Sequence, residues 1–411
     1  MTTTTTPVEP VDATLPSSPA ACKGVVHAVA APGPAAPAAP AVVVAPGLAL
    51  EAIASVSEAR ELVALPNGDL LVGTAGTSVY VIPNADVADA AAPPGAPAVF
   101  ASFDDAPAQG VAFSKATCTV FVGTQHDVYS IAYADGQLAA TAAQSIAKVR
   151  TGGVVHTAAD ADTHTTTSVA VASGLLYVGV GSSCNACTEV DPTRAAIQVM
   201  QLDGSGAATR ATRIRNPIAL AENPATGSLW VGNAGQDGLP LGHPYELFDL
   251  VTAHPAPADY GWPDCEENHT PYRAGASCAS TVAPLVELPA YSTIIGAAFY
   301  PVQATGPYAF PAPYPGGAFV TAHGSWHTEP DGTYFTPPRV AHVAMHGDVP
   351  NVAVNWADPS TQWTEVLGGF QLPDGKTRIG RPAGVAVGPL GSVFVSDDQT
   401  GLVYRLRPTA R

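Results

Sequence analysis

The chain has 411 residues, with 17 Lys and Arg against 34 Asp and Glu, and a formal net charge of −17 at pH 7. Only 12% of its residues are charged, and it contains 39 glycines and 40 prolines. This composition excludes a coiled coil or a helical bundle, which need more Glu, Lys and Leu and far less Pro. The acidic charge argues against a nucleic-acid-binding protein, because it repels phosphate. With 46% hydrophobic residues, the chain can bury a large core.

The N-terminal region differs in composition from the rest of the chain. Residues 1–47 are rich in Thr, Ala, Pro and Val, and their closely spaced prolines rule out a continuous helix. We therefore expect an extended or disordered lead-in over 1–47 and a single folded domain over 48–411. No signal peptide is visible in the sequence, and no run of 18 apolar residues predicts a membrane span.

The six cysteines indicate an oxidising compartment. They are Cys22, Cys118, Cys184, Cys187, Cys265 and Cys278. An even number with two local pairs favours disulfides, and hence an extracellular or periplasmic protein. A zinc site at the Cys184-x-x-Cys187 pair is the alternative, but no obvious second pair of ligands lies nearby. We expect a stapled surface loop, followed by an ion pair between Arg194 and Asp191.

A repeat of two short apolar runs recurs six times from about residue 50 and predicts the fold. The second run of each copy ends in a small residue, and each first run contains an Ala that we expect at one structural position: Ala64, Ala112, Ala170, Ala219, Ala298 and Ala386. Short apolar runs between turn formers predict strands. Six such copies predict an all-β, six-bladed β-propeller, with a β-sandwich array or a β-helix as the alternatives. The longest inserts, 235–293 and 300–318, should overhang the functional face.

Basic residues stand where several of the predicted central strands begin. His164 precedes one strand, and an imidazole there can take a proton from a substrate hydroxyl, although an ordinary loop histidine is the alternative. Arg215 and Asn216 precede a second strand, and Arg381 precedes a third. A guanidinium at the channel mouth suits an anionic ligand with planar carboxylates, whereas an internal ion pair is equally compatible.

Two further segments carry candidate ligands. The loop Gly235-Gln236-Asp237 offers carbonyl, amide and carboxylate oxygens that suit a hard cation such as calcium, although an ordinary turn is the simpler interpretation of the loop alone. The ring of Trp326 can stack on a flat cofactor, with core packing as the alternative.

Taken together, these stretches resemble the soluble quinoprotein glucose and sorbosone dehydrogenase family, which includes fungal pyranose dehydrogenases. The matching segments occur in family order: LYVGVGSSCNAC, DPTRAAI, RNPIAL, GSLWVGNAGQDGL, DYGWPDC, AFVTAHGSW and GRPAGVAVGPLGSVFVSDDQTGLVYRL. The resemblance implies a six-bladed propeller that holds pyrroloquinoline quinone (PQQ) and calcium at the channel mouth. It also implies a sugar or aldose (sorbosone-like) dehydrogenase that transfers hydride to the quinone. The sequence has no Cys-x-x-Cys-His haem motif, so the electrons would pass to an external acceptor.

The resemblance also implies roles for individual residues. His164 would be the general base, and Arg215 and Asn216 would hold the quinone oxygens or a neighbouring carboxylate. Arg381 would pair with a PQQ carboxylate, and Trp326 would line the cofactor. Calcium oxygens would come from the loop 235–237.

The chain departs from the family pattern at Thr167, Gln236 and Thr328, where a cation is usual. Each lost charged hydrogen bond would weaken PQQ binding by about 1–3 kcal/mol, unless Arg339 or Lys376 compensates. A propeller that has lost the cofactor and acts as a binding module is therefore an alternative function. A calcium-dependent lactonase is a third, disfavoured because the strand entrances offer Arg and His rather than several carboxylates.

Overall fold

The computed structural model describes Cys22, Gly24 and residues 38–87, 93–152 and 162–409. These residues form six sheets of four or five strands, antiparallel except for one short strand in the third sheet, together with two small two-stranded sheets and two short 3₁₀-helices, Val251–Ala253 and Pro359–Gln362. The first strands of the six large sheets pack against one another in a ring. The predicted all-β, six-bladed β-propeller is thus confirmed. None of the helices in these ranges is long and apolar enough to cross a membrane.

Each blade pairs its strands from the innermost outwards, in chain order except that the outermost strands of the fifth and sixth blades, Val43–Val44 and Leu48–Ser55, come from the start of the chain. The first blade contains the strands Ala59–Ala64, Leu70–Thr74, Ser78–Ile82 and Ala98–Ser102. The second blade contains Gly110–Ser114, Thr119–Gly123, Asp127–Ala132 and Gln144–Lys148. The third blade contains Thr167–Ala172, Leu175–Val180, Ala196–Met200, Ala208–Thr212 and the parallel strand Ala258–Asp259. The fourth blade contains Pro217–Asn223, Ser228–Asn233, Glu246–Leu250 and Val286–Leu288. The fifth blade contains Ile294–Phe299, Ala318–Ala322, Arg339–Val343, Trp363–Gly368 and Val43–Val44. The sixth blade contains Pro382–Val387, Val393–Asp397, Leu402–Pro408 and Leu48–Ser55. The two-stranded sheets pair Cys265–Glu266 with Thr270–Pro271 and Met345–His346 with Val349–Pro350.

Both ends of the described chain belong to the propeller. Strand Leu48–Ser55 is the outermost strand of the sixth blade and pairs with the C-terminal strand Leu402–Pro408, which closes the ring. The lead-in predicted over 1–47 lies largely outside the described residues. Within it, Val43–Val44 pairs with the fifth blade, and Cys22 forms a disulfide with Cys118 in the second blade, so contacts with the propeller begin upstream of residue 48.

Adjacent blades approach so closely that only small residues fit between them. A Cβ atom added to Gly73 would lie 2.0 Å from the carbonyl oxygen of Gln109 in the next blade. In the sixth blade Ser396 occupies the corresponding place and donates its hydroxyl to the carbonyl oxygen of Arg60 at 2.5 Å. This contact explains the small residue that ends each second run: Gly73, Gly123, Gly179, Gly232, Thr321 and Ser396.

The alanines of the first runs share one position in only four blades. There the Ala pairs with the aromatic residue of the second run: Ala112 with Phe121, Ala170 with Tyr177, Ala298 with Phe319 and Ala386 with Phe394. In the fourth blade the residue opposite Trp230 is Ala221 rather than Ala219, and in the first blade Val63 rather than Ala64 lies opposite Leu71. The expectation was wrong at these two alanines, because a short apolar run does not reveal its own register and strand pairing decides it.

The innermost strands share one direction, which gives the propeller two distinct faces. Residues at their first ends, such as Arg60, Ile218 and Ile295, line a cleft at one mouth of the channel. Residues at their last ends, such as Phe299 and Val387, line an opening at the other mouth. The cleft face therefore carries the connections that lead into each first strand and those between the second and third strands.

This geometry corrects the expectation for the two long inserts. Loop 300–317 joins the first and second strands of the fifth blade, so it lies on the face opposite the cleft, where Tyr308 donates its N–H to the carbonyl of Leu390. The expectation that 300–318 overhangs the functional face was wrong. The other insert, 235–293, includes two strands of the fourth blade, and only parts of it, including Gly235 and Tyr291, line the cleft.

The two local cysteine pairs are disulfides, as predicted: Cys184–Cys187 and Cys265–Cys278. Zinc binding by Cys184 and Cys187 is thereby excluded, because their sulfur atoms are bonded to each other. Together with Cys22–Cys118, the disulfides account for all six cysteines.

Candidate functional site

A cleft of about 670 Å³ at the mouth of the central channel collects most of the predicted site residues. Those that line it are His164, Arg215, Asn216, Gly235, Asp237, Trp326 and Arg381. Gln236 does not line it but is buried beside it, and its Oε1 atom has no hydrogen-bond partner among the described residues. Blades far apart along the chain thus bring the predicted imidazole and guanidinium groups to one place.

The hydrogen bonds of His164 define which ring nitrogen carries the proton. Nδ1 lies 2.9 Å from both the carbonyl oxygen and the hydroxyl oxygen of Ser182. The Ser182 hydroxyl donates its own hydrogen to the carbonyl of Cys184 at 2.6 Å. Since a carbonyl can only accept and the hydroxyl hydrogen is already used, Nδ1 must donate. The lone pair of the neutral ring is therefore on Nε2.

The surroundings of His164 keep its imidazole neutral. Burial and, second, the positive charge of Arg215 lower the pKa of His164 from 6.5 to about 3. At neutral pH the ring is therefore uncharged and able to accept a proton at Nε2.

Arg194 holds the segment that carries His164. Its buried guanidinium donates to both carboxylate oxygens of Asp162, at 2.6 and 2.7 Å, and to the carbonyl oxygens of Gly181 at 2.7 Å and His164 at 3.1 Å. The expected ion pair between Arg194 and Asp191 was wrong. Arg194 turns inwards, where a buried carboxylate and several carbonyls satisfy its N–H groups, instead of lying along the surface loop.

Arg215 organises the predicted calcium loop. Its guanidinium donates to the carbonyl and side-chain oxygens of Asn185, at 3.1 and 2.8 Å, and to the carbonyl of Ala234 at 3.1 Å. It also donates to Asp237 Oδ2 at 3.1 Å, while the other carboxylate oxygen of Asp237 lies 2.8 Å from His327 Nε2. Arg215 thus lines the cleft and forms the internal ion pair that was the alternative interpretation of this residue, while its binding of an anionic ligand stays a prediction.

The buried carboxyl group of Glu246 holds the loop 235–237 through a hydrogen bond. Glu246 accepts the backbone N–H of Gly235 at 2.7 Å, and burial raises the pKa of Glu246 to about 7. Glu266 lies close by, and burial raises its pKa to about 8, against the opposing charge of Arg215. The loop 235–237 therefore rests on carboxyl groups that hold their protons more tightly than exposed ones do.

A second group of charged residues forms the opposite wall of the cleft. Arg381 donates to the carbonyls of His323 and Gly324, each at 3.2 Å. The Asp398 carboxylate lies 2.9 Å from His323 Nε2 and 3.0 Å from Arg60 Nε. Burial lowers the pKa of His323 to about 4, although Asp398 opposes the shift. Sequence reasoning assigned no role to Arg60, His323 or Asp398.

Arg60 brings a third guanidinium to the cleft, beside Arg215 and Arg381. The two residues considered as compensating cations lie elsewhere: Arg339 is 3.6 Å from Glu365, and Lys376 is 3.3 Å from Asp331. Arg60 lies at the start of the first central strand, just as Arg381 precedes the last one, so the same sequence pattern also indicates Arg60 as a residue of the cleft.

A protein-family model described as TrAA12-like matches residues 42–268 and 264–409. The chain belongs to the TrAA12-like family.

Solved structures share the fold of this TrAA12-like protein. The calcium structure of the Trichoderma reesei carbohydrate-active enzyme of family AA12 is 20% identical, with a TM-score of 0.73 over 92% of this chain and 99% of that one. The holo form of the pyranose dehydrogenase PQQ domain from Coprinopsis cinerea is 18% identical, with a TM-score of 0.72 over 91% and 99%. The apo form of the soluble aldose sugar dehydrogenase from Escherichia coli is 17% identical, with a TM-score of 0.58 over 88% and 100%.

A curated relative, an uncharacterised protein of Borreliella burgdorferi, is 23% identical over 237 residues. The alignment spans 56% of this TrAA12-like chain and 56% of that relative, so this chain covers about half the length of the curated relative it matches.

Proposed function

We propose that this protein is a sugar oxidoreductase that uses PQQ and calcium and oxidises a sugar or an aldehyde, such as a sorbosone-like aldose. The observation that carries the proposal is a neutral imidazole, His164, with its lone pair on Nε2, in one cleft with three guanidinium groups. The names of the structural neighbours, a pyranose dehydrogenase PQQ domain and an aldose sugar dehydrogenase, support the same chemistry. Its three disulfides support an extracellular or periplasmic location.

The residues of the cleft fit a flat ligand that carries several carboxylates. The described contacts of the Arg381 guanidinium use Nε and Nη2, so Nη1 is left for a ligand. Arg60 and Arg215 add positive charge, which suits the three carboxylates of PQQ. Trp326, with 66% of its surface exposed, offers a flat ring at the rim of the cleft.

The loop beside the cleft fits a hard cation. Asp237 supplies a carboxylate that also contacts Arg215 and His327. Gly235 supplies a backbone carbonyl, and Gln236 a buried amide oxygen without a hydrogen-bond partner among the described residues. Oxygen donors of these three kinds are those that calcium prefers. In this proposal Gly235, Gln236 and Asp237 hold calcium, while Arg215, Asn216, Arg381 and Trp326 hold PQQ.

The protein contributes a placed base to the reaction. When bound, PQQ supplies the two-electron acceptor, which an external electron acceptor then reoxidises. His164 takes the proton of the substrate hydroxyl on Nε2 as the carbon atom gives up its hydride. Ser182 keeps the other ring proton on Nδ1, and Arg194 keeps the backbone of His164 in place. Each turnover thus removes one hydride and one proton from the substrate.

The decisive experiment is a titration of the purified protein with PQQ in the presence of CaCl₂, read by PQQ absorbance, followed by dye-linked oxidation of a panel of aldoses. We expect binding in the micromolar range or tighter. His164→Asn should retain PQQ binding and lose oxidation, whereas Arg381→Ala should weaken PQQ binding. Absence of PQQ binding at micromolar concentrations would exclude the proposal and favour the alternative, a non-catalytic binding module.

A further inference from the structure

A second pocket adjoins the cleft on the side of Trp326. It is an open cavity of about 620 Å³ on the same face of the propeller, lined by Trp326, Tyr334, Arg378, Arg381, Asp398 and Gln399. Trp326 and Arg381 also line the cleft, so the two cavities meet at these side chains. A ligand longer than the cleft can therefore extend into this pocket without leaving the protein surface.

The wall of the second pocket is preformed, because contacts within the protein already fix its side chains. The guanidinium of Arg378 stacks 3.7 Å from the ring centre of Tyr334, and it donates to the carbonyl of Thr336 at 3.2 Å. The backbone N–H of Tyr334 donates to Gly375 at 3.0 Å, which ties the loop of Trp326 to the neighbouring connection. Because cation–π stacking and backbone bonds hold it, the Tyr334 ring loses little freedom when a ligand binds.

The chemistry of this wall suits a neutral, hydroxyl-rich ring. Trp326 stands at the boundary between the cleft and the pocket, with the ring of His327 packed against it, and Tyr334 provides a second aromatic ring in the wall of the pocket. Polar groups surround these rings: the guanidinium of Arg378 and the exposed amide of Gln399. A pyranose ring has an apolar C–H face that packs on an aromatic ring and a rim of hydroxyls that hydrogen-bond to such groups.

The polar groups around the pocket are partly engaged within the protein. The carboxylate of Asp398 is already engaged by His323 and Arg60, and Arg381 is bonded to two carbonyls of the cleft wall. Arg378 and Arg381 donate to neutral carbonyls and keep their charge, and their remaining N–H groups can donate to the hydroxyls of a sugar.

We propose that the second pocket is an additional sugar subsite, which binds the neighbouring ring of an oligosaccharide whose terminal ring lies in the cleft. This inference rests on the proposed function for the identity of the ligand in the cleft. It adds that the substrates are linked sugars rather than free monosaccharides alone.

The test measures sugar binding by calorimetry and by the fluorescence of the exposed Trp326, first on the cofactor-free protein and then after addition of PQQ and CaCl₂. Two series of ligands are compared. The first is glucose, cellobiose and cellotriose, and the second is glucose, maltose and maltotriose. We expect at least one series in which the disaccharide binds tenfold or more tightly than glucose. Tyr334→Ala should reduce this ratio to near one. Tyr308→Ala is the matched control, because Arg407 stacks on Tyr308 at 3.4 Å away from both cavities, and it should leave the ratio unchanged.

Two results would overturn the subsite: equal affinity for glucose and the longer sugars in both series, or a preference that Tyr334→Ala does not alter. A Tyr334-dependent affinity for the redox dye dichlorophenolindophenol, without any preference for linked sugars, would also overturn it and identify the pocket as the docking site of the electron acceptor. Failure of the two proposals can be told apart. Oxidation of monosaccharides without a preference for longer sugars removes only the subsite, whereas Tyr334-dependent sugar binding without PQQ binding removes only the oxidoreductase.

Discussion

Replacing Arg194 with Met should destabilise the protein strongly and disturb the base. The Arg194 side chain is 0% exposed and that of Asp162 is 5% exposed, and the two groups share a bidentate ion pair. Removing one partner of such a buried pair leaves an uncompensated charge, which costs about 3–5 kcal/mol of unfolding free energy. The carbonyls of Gly181 and His164 lose a donor as well.

The matched control is Arg213→Met. Arg213 also binds carboxylates, Asp259 at 2.8 Å and Asp264 at 3.2 Å, but these side chains are between 33% and 41% exposed. An exposed ion pair contributes at most about 1 kcal/mol, because water screens it and its side chains lose entropy. Both variants remove one arginine from an ion pair on the cleft side, so burial is the main difference between them.

The assay is equilibrium unfolding in urea, followed by tryptophan fluorescence. We expect the midpoint to fall much further for Arg194→Met than for Arg213→Met. A double variant, Arg194→Met with Asp162→Leu, should recover part of the loss, because it removes the stranded charge. Equal costs for the two single variants, or a double variant less stable than Arg194→Met, would refute the reasoning.

Three further predictions concern the base, the blade contacts and Glu61, which lies in the innermost strand of the first blade. In the cofactor-free protein, His164 should stay neutral down to about pH 4 and titrate near pH 3, as followed by NMR with His164→Asn for assignment; a midpoint near 6.5 would contradict the burial argument. Gly73→Ala should lower the unfolding free energy by about 1–3 kcal/mol, because its Cβ would overlap the Gln109 carbonyl. Gly76→Ala should lower it far less, because its Cβ meets nothing closer than 3.5 Å. Similar urea midpoints for the two variants would contradict this prediction. Burial raises the pKa of Glu61 from 4.5 to about 8, so the folded state holds an extra proton and loses stability as the pH rises through that window. Glu61→Gln should reduce the fall in urea midpoint between pH 5 and pH 9, leaving the part that is due to Glu246 and Glu266, and an unchanged pH dependence would disprove this prediction.

Local chemistry in the sequence was sufficient to predict the blades. Short apolar runs, turn formers and a small residue at the end of each second run predict strands that pack face to face, and the contact between Gly73 and the Gln109 carbonyl gives the physical reason for that small residue. The position of each residue within a pair of strands was less certain. Ala219 and Ala64 lie outside the shared position, because register depends on which partner residue pairs with each strand, and an apolar run can pair in more than one register.

Residues at strand entrances could be assigned to the cleft from the sequence, because in a propeller every first strand begins at the same end. His164, Arg215 and Arg381 were found in this way, and they line one cleft. Partners that lie far apart in the sequence could not be found. Asp162 as the partner of Arg194, and Asp398 between Arg60 and His323, depend on side-chain directions that no local pattern records.

The order of apolar runs and turn residues therefore determined the number of blades and the positions where basic side chains enter the channel. The spacing of the cysteines determined the two local disulfides. Only the tertiary structure decided which charges meet, which proton His164 keeps, and that loop 300–317 lies on the face opposite the cleft. The reason is that strands form from interactions between near neighbours in the chain. The cleft, by contrast, forms where six sheets converge, and its charges are set by contacts between residues far apart in sequence.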